Sequence, residues 1–396
     1  MDYVLQTLRN IENAGLYRTL IESRVKGAKA FRPDEFFNFA SNDYLGISAK
    51  ADWQDEFLDY VRNSKDLGFV MGSTSSRLLA GDNPAFEILE DFLSELYSSA
   101  SGTQKSVLLF NGGYHANTGI LPALLDKGDL VLCDRLSHAS IMDSLKLMPC
   151  AWKRYKHSDY DNLRFLLAEN AGKYERIFIV TESVFSMDGD LSRLHRLAEL
   201  KREFGAYLYI DEAHGAGVFG DMGLGLAEAQ NILADVDVLM CTLGKAFASQ
   251  GAFAVCSEAF KKLLVNRCRP FIFSTAMAPI CAIWTRFVIG KALGMREERT
   301  HLERISGKFF GDLRGAFGSE RVLGGSQICA LVAGSNESVS KLSSALAREK
   351  IWAPAIRYPT VPKNTARIRF SLNADMTYES VSEISERIVK IASAVL

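Results

Sequence analysis

The sequence predicts an α/β fold, a large domain with a mainly parallel sheet followed by a small C-terminal α+β domain. Three observations carry this: short, almost wholly apolar runs recur between stretches of helical period, one of those stretches opens with a clear helix-start signal, and the pattern changes after about residue 276.

The apolar runs lie at 107–110, 130–133, 177–181, 207–210, 238–242 and 252–256. Each is four or five residues long, as expected of strands covered on both faces. Strands alternating with helices mark an α/β domain. Asn83-Pro84 reads as N-cap and first helical residue, with Phe86, Leu89, Leu93 and Leu96 on one face behind it. Beyond residue 276 come a long helical stretch, a strand at 367–371 and a last helix striped with Val381, Ile384, Ile388, Ile391 and Val395. The expected organisation is an N-terminal arm over 1–45, a large domain over 46–275 and a small domain over 276–396 that begins with an interdomain helix.

With 396 residues, 48% of them hydrophobic, and a formal charge of -1, the chain can bury a large core and gives no electrostatic reason to favour nucleic acid or an anionic membrane. No stretch approaches the roughly 20 apolar residues that span a bilayer. Asp2, Arg9, Glu12 and Arg18 interrupt the first twenty residues, unlike a secretory signal. Seven cysteines without a CxxC pair suggest neither a disulfide framework nor a zinc site, so a reducing cytoplasm, no metal and small-molecule substrates are expected.

Two phosphate motifs fail on inspection. Gly215-Ala-Gly-Val-Phe-Gly220 spells the dinucleotide fingerprint, but Asp221-Met-Gly-Leu-Gly225 puts more glycines where the helix must begin. Gly244-Lys245 lacks the glycine five positions earlier, where Leu239 stands, and Ala246 replaces the Ser or Thr that would meet magnesium.

Stronger signals gather at the C-terminal ends of the predicted strands, the edge that carries ligand sites in open α/β sheets. Asp211 ends one strand and needs a cation or several donors if buried; a protonated pyridine nitrogen of pyridoxal phosphate is one such partner, a structural salt bridge another. Lys245 follows the next strand and Gly244, placed to act as a Schiff-base nucleophile, although a solvated surface lysine is the ordinary alternative. Asn111-Gly-Gly113-Tyr114 leads from a strand into a helix whose free N–H groups suit a phosphate; a plain tight turn would explain the glycines equally well. His138, just after another strand, could face a ring or could be structural.

Taken together these motifs resemble the α-oxoamine synthases, fold-type-I pyridoxal-phosphate enzymes, over nearly the whole chain. The resemblance rests on Ser41-Asn42-Asp43-Tyr44-Leu45-Gly46, the Gly112-Gly113-Tyr114 turn, Asp134-Arg-Leu-Ser-His138-Ala-Ser, Thr181-Glu-Ser-Val-Phe-Ser186-Met-Asp-Gly-Asp190, Asp211-Glu-Ala-His214-Gly, Thr242-Leu-Gly-Lys245 and Arg357-Tyr-Pro-Thr360-Val-Pro, in that order. It implies that Lys245 carries the cofactor and removes the amino-acid α-proton. Asp211 would pair with the ring nitrogen, His214 would contact the ring oxygen, and His138 would stack on the ring and bond the substrate. Gly113, Tyr114, Ser186 and Thr242 would bind the cofactor, while Ser274 and Thr275 would reach the phosphate of a second subunit, implying a homodimer with shared sites. Arg369 with Asn42 would hold the amino-acid carboxylate, and Arg18 and Thr360 would contact substrate. Arg367 lies on the same strand face as Arg369, so from the pattern alone either could reach the carboxylate.

Within the family, Gly15-Leu-Tyr-Arg18, Ala355-Ile356-Arg357 and the absence of an N-terminal extension resemble the members that join L-alanine to a pimeloyl thioester carried by CoA or a carrier protein. Gly72-Ser-Thr-Ser-Ser-Arg77 and Ala246 depart from that pattern. Glycine or serine with acetyl, succinyl or palmitoyl thioesters therefore stays open. A non-catalytic subunit that keeps the fold is opposed by the joint presence of Lys245, Asp211 and His138.

Overall fold

The computed structural model describes residues 1–64 and 69–396. It divides into two compact units: Met1–Ala49, Met187–Asp190 and Thr300–Leu396 form one, Lys50–Ser186 and Leu191–Arg299 the other.

The larger unit is built on a seven-stranded sheet. Its strands in chain order are β1 (Ser106–Phe110), β2 (Leu130–Asp134), β3 (Ala151–Tyr155), β4 (Ile177–Glu182), β5 (Tyr207–Asp211), β6 (Val238–Thr242) and β7 (Ala252–Cys256), arranged β1-β7-β6-β5-β4-β2-β3. Strands β2 to β6 pair in parallel, and β7 runs antiparallel to both β6 and β1. All six runs expected from their apolar character are strands. β1, β2, β4 and β7 are buried along their whole length, because helices cover both faces. β3 was not foreseen: it is an edge strand whose Trp152 and Arg154 are exposed, so it lacks the apolar run.

The helix Pro84–Ser101 starts as its sequence requires, with the Asn83 side chain accepting from the Ala85 N–H. Phe86, Leu89 and Leu93 are buried; one step on, Tyr97 takes the core position that the periodicity assigned to Leu96. The helix Gly113–Leu124 adds Ala116, Ile120, Leu121 and Leu124 to a core with Phe110, Val131, Tyr209 and Met240.

In the smaller unit Val322–Gly324, Ile328–Gly334, Ala366–Ser371 and Ala355–Ile356 form one antiparallel sheet. Arg24–Lys26, Lys29–Phe31 and Glu35–Asn38 form another, which Ile351–Trp352 joins in parallel. Phe39, Phe309 and Phe370 pack ring to ring, with centroids 5.2 to 5.3 Å apart. The last helix, Tyr378–Val395, buries Val381, Ile384, Ile388 and Ala392, while Ile391 and Val395 at its end are only partly covered. The first helix, Asp2–Asn13, buries no residue.

All seven cysteines are free thiols. Among the described residues no cluster of side chains could hold a metal ion, and no helix is long and apolar enough to cross a membrane.

Candidate active site

One edge of the larger unit's sheet collects the chemistry. β1, β2, β4, β5 and β6 all end there, and the chain leaves them at Asn111, Arg135, Ser183, Glu212 and Leu243. The helix Gly113–Leu124 begins just past β1 with no side chain capping its first N–H groups. A Cβ at Gly113 would lie 3.6 Å from Thr242 Oγ1, so the helix start and the end of β6 face each other closely. Uncapped N–H groups at the positive end of a helix dipole are an anion site. Thr242 Oγ1 donates to the Gly251 carbonyl at 3.3 Å.

Asp211, the last residue of β5, is 3% exposed. Asn117 Nδ2 donates to its Oδ2 at 2.7 Å and the Ala213 N–H to its Oδ1 at 2.8 Å. Asn117 is fixed in turn: Tyr209 Oη donates to its Oδ1 at 2.6 Å, and its Nδ2 also reaches Ser140 Oγ at 2.9 Å. Asn117 and Ser140 are the residues that sequence reasoning missed. Asn117 stands one helical turn behind Gly113 on a face turned to the sheet, and that spacing was the available signal.

Lys245 lies in the loop after β6, with Nζ 2.8 Å from His214 Nε2. The two residues assigned to the cofactor's reactive end are therefore neighbours. His138 caps the helix Ala139–Leu147: its Nδ1 accepts from the Ser140 N–H at 3.2 Å and meets Ser140 Oγ at 2.8 Å. With Nδ1 accepting, the proton of the neutral ring sits on Nε2, free to donate. Although the ring is open to solvent on one side, the protein around it lowers its pKa below the ordinary histidine value; Lys245 adds to the lowering and Asp211 opposes it. Tyr114 is half-exposed and donates its hydroxyl to Asp143, which raises its pKa. Ser186 lies in the turn that the Val184–Leu191 bridge closes. Thr275 is exposed, and its carbonyl accepts from Asn111 Nδ2 at 2.7 Å.

The glycine-rich run after β5 is explained by what it wraps. No helix begins within it: the short helix Leu226–Ala229 comes only after Gly225. Glu212 is fully buried; Ser183 Oγ donates to it at 2.6 Å and the Ala227 N–H at 2.8 Å. Burial nevertheless pushes its pKa up to about 7. A Cβ at Gly225 would sit 2.6 Å from the Glu212 carboxyl carbon, and one at Gly217 would sit 2.5 Å from the Ala246 Cβ. The alanine after Lys245 is thus accommodated by the missing side chain at 217. Gly217 has φ +86. Gly217→Ala should lower stability by at least the ~1–2 kcal/mol of a left-handed L-residue, with the overlap adding to it; thermal unfolding of the variant checks this.

The smaller unit carries a second group of polar side chains. Arg369, 5% exposed, donates through both terminal nitrogens to Asn42 Oδ1 at 3.1 Å, and also to Ser371 Oγ at 2.7 Å and Tyr44 Oη at 3.4 Å. Arg367, equally buried, forms an ion pair with Asp188. That partner separates the two arginines: Arg367 is committed to a carboxylate of its own chain, and Arg369 is the one that meets Asn42. Arg18 Nη2 reaches Thr360 Oγ1 at 3.5 Å, and Arg357 donates to the Gly15 carbonyl at 2.9 Å.

The sequence profile of the aminotransferase class I and II family matches residues 34–388. An 8-amino-7-oxononanoate synthase from Chlorobaculum parvum is 43% identical over 380 residues, 95% of this chain and 95% of its own length. Among solved structures, a serine palmitoyltransferase from Sphingomonas wittichii superposes with a TM-score of 0.87 at 26% identity, covering 99% of this chain and 97% of that one. An 8-amino-7-oxononanoate synthase from Francisella tularensis superposes with a TM-score of 0.73 at 26% identity, covering 91% of this chain and 98% of that one. An uncapped helix start for a phosphate, a buried carboxylate for a ring nitrogen and a primary amine beside a histidine form the donor set that pyridoxal phosphate requires. The chain belongs to the aminotransferase class I and II family, with the fold-type-I architecture, and within it to the α-oxoamine synthases, pyridoxal-phosphate-dependent acyltransferases.

Proposed function

We propose that the chain condenses L-alanine with a pimeloyl thioester to give 8-amino-7-oxononanoate, carbon dioxide and the free thiol, a step of biotin synthesis, and that it does so as a homodimer. The observation that carries this reading is the 43% identity to a synthase of that name over 95% of both chains.

Pyridoxal phosphate, when bound, supplies an electron sink for negative charge at the amino-acid α-carbon. The chain's own residues do the rest. Lys245 Nζ would hold the cofactor covalently and would take the α-proton of the amino acid, with His214 beside it to orient the amine and contact the ring oxygen. The Asp211 carboxylate, fixed by Asn117 and the Ala213 N–H, keeps the ring nitrogen protonated. The first turn at Gly113 and Tyr114, with Ser186 and Thr242, binds the cofactor, and Thr275 reaches the phosphate in the second subunit. His138, neutral at pH 7, lays an uncharged ring over the cofactor and offers its Nε2 proton to the oxyanion that develops when the thioester is attacked. Arg369 and Asn42 hold the carboxylate of the amino acid, while Arg18 and Thr360 contact substrate.

The test is thiol release and carbon dioxide evolution by the purified holoenzyme across a grid of amino acids and acyl-CoAs. L-alanine with pimeloyl-CoA should give the highest kcat/KM; preference for serine with palmitoyl-CoA, or for glycine with acetyl-CoA, would reject the proposed substrates. In the same assay Arg369→Lys should raise KM for the amino acid by about 10–100-fold, because a bidentate charge-assisted contact becomes a single one, with the thioester KM little changed.

A further inference from the structure

Asp211 has a neighbour that the mechanism leaves unused. Glu182, the last residue of β4, is the direct parallel partner of Asp211 on β5. Adjacent strands lie about 4.8 Å apart, and the two carboxyl residues are only 2% and 3% exposed. Two buried like charges on facing residues of neighbouring strands cannot both be carried cheaply, which favours one negative charge and one proton between them.

Geometry decides which member is charged. Both oxygens of Asp211 accept hydrogen bonds, from Asn117 Nδ2 and from the Ala213 N–H, and donors favour the ionised form. Glu182 Oε1 is buried and has no hydrogen-bond partner among the described residues, and an orphaned oxygen is tolerable on a neutral acid but not on a buried anion. The charged and titratable groups around Glu182 agree with this. Burial and the negative charges of Asp211 and Asp134 raise its pKa well above the carboxylic-acid range, against the opposing pull of Lys245 and of the His138 backbone N–H.

We infer that Glu182 is a positioning residue: it carries the proton of the Glu182–Asp211 pair and so keeps the negative charge on Asp211. The inference rests on the reading of Asp211 given above and assigns the neighbour that reading needs. Glu182 touches neither substrate nor cofactor in this role; it acts through Asp211.

Glu182→Gln copies the shape and neutrality of the protonated acid, whereas Glu182→Ala keeps neutrality and loses the buried group itself. In the infrared difference spectrum of holoenzyme minus the Glu182→Gln holoenzyme, the expected signal is the C=O stretch of a protonated carboxylic acid at neutral pH, which shifts in D2O. A carboxylate stretch in its place overturns the inference. A second measurement is pyridoxal phosphate binding to the apoenzyme by fluorescence quenching. Glu182→Gln should bind within about 3-fold of the parent and Glu182→Ala about 10-fold or more weakly, since alanine leaves a buried cavity beside Asp211. Glu182→Gln weakened as much as Glu182→Ala would overturn the inference as well. The infrared signal is independent of what Asp211 does in turnover: normal activity in Asp211→Asn would remove the reading of Asp211 and leave the proton on Glu182 standing.

Discussion

Lys245→Ala is expected to abolish the visible absorbance of the lysine–cofactor linkage and to lower condensation by about 10²–10⁴-fold or more, the range that a positioned general base supplies. In the proposed function the side chain does two things through one atom: its Nζ, 2.8 Å from His214 Nε2, would anchor the cofactor and take the α-proton. Alanine removes both at once, while the loop itself should stand: the neighbouring Ala246 is packed against Gly217, and Leu243 is bonded to Gly251 through its backbone N–H. Lys245→Arg makes the argument sharper. Arginine keeps the positive charge and most of the reach but does not release its proton, so it should fail as completely as alanine. Absorbance of the holoenzyme reads the linkage, and deuterium exchange at the alanine α-carbon reads the base. A normal visible band in Lys245→Ala would move the linkage to another residue, and exchange at the parent rate would move the base.

How far the sequence disclosed this site follows from the physics of each residue. Strands buried on both faces are legible because nothing but apolar side chains fits there, which is why β1, β2 and β4 to β7 could be read directly and the half-exposed β3 could not. Asp211, Lys245 and His138 were legible because each ends a strand or follows one closely, at the edge where ligands bind in such sheets. Asn117 was hidden by its place inside a helix, where its spacing one turn behind Gly113 is the sole local sign that it faces Asp211 and not solvent. Arg367 and Arg369 share one face of a strand, and only Asp188, far away in the chain, shows which of them is already neutralised. The glycine run from 215 to 225 spelled a motif it does not fold into. Its glycines make room for the buried Glu212 and for Ala246, contacts that no periodicity announces. Glu182 is one residue of the motif Thr181–Asp190, and its meaning depends on strand register, which places it opposite Asp211.

Asp211→Asn should retain cofactor and lose condensation by about 10–1000-fold, because an adjacent carboxylate is worth roughly 1–3 pK units to a cation it faces. The substitution is isosteric, yet it is not silent in the free protein. Both carboxylate oxygens accept, one from Asn117 Nδ2 and one from the Ala213 N–H, so whichever way an amide turns, its own N–H₂ meets a donor in a site that is 3% exposed. Part of the loss could therefore come from a displaced side chain, and Asn117→Ala separates the two effects. That variant removes one donor and keeps the charge, so its activity should fall far less than that of Asp211→Asn. Cofactor content by absorbance, kcat for condensation and α-proton exchange are the three readouts. If Asn117→Ala and Asp211→Asn fall equally, the hydrogen bond rather than the charge matters at this position. If Asp211→Asn turns over near the parent rate, the ring nitrogen is held protonated by some other group, and Asp211 is only the structural anchor that its two donors would make it.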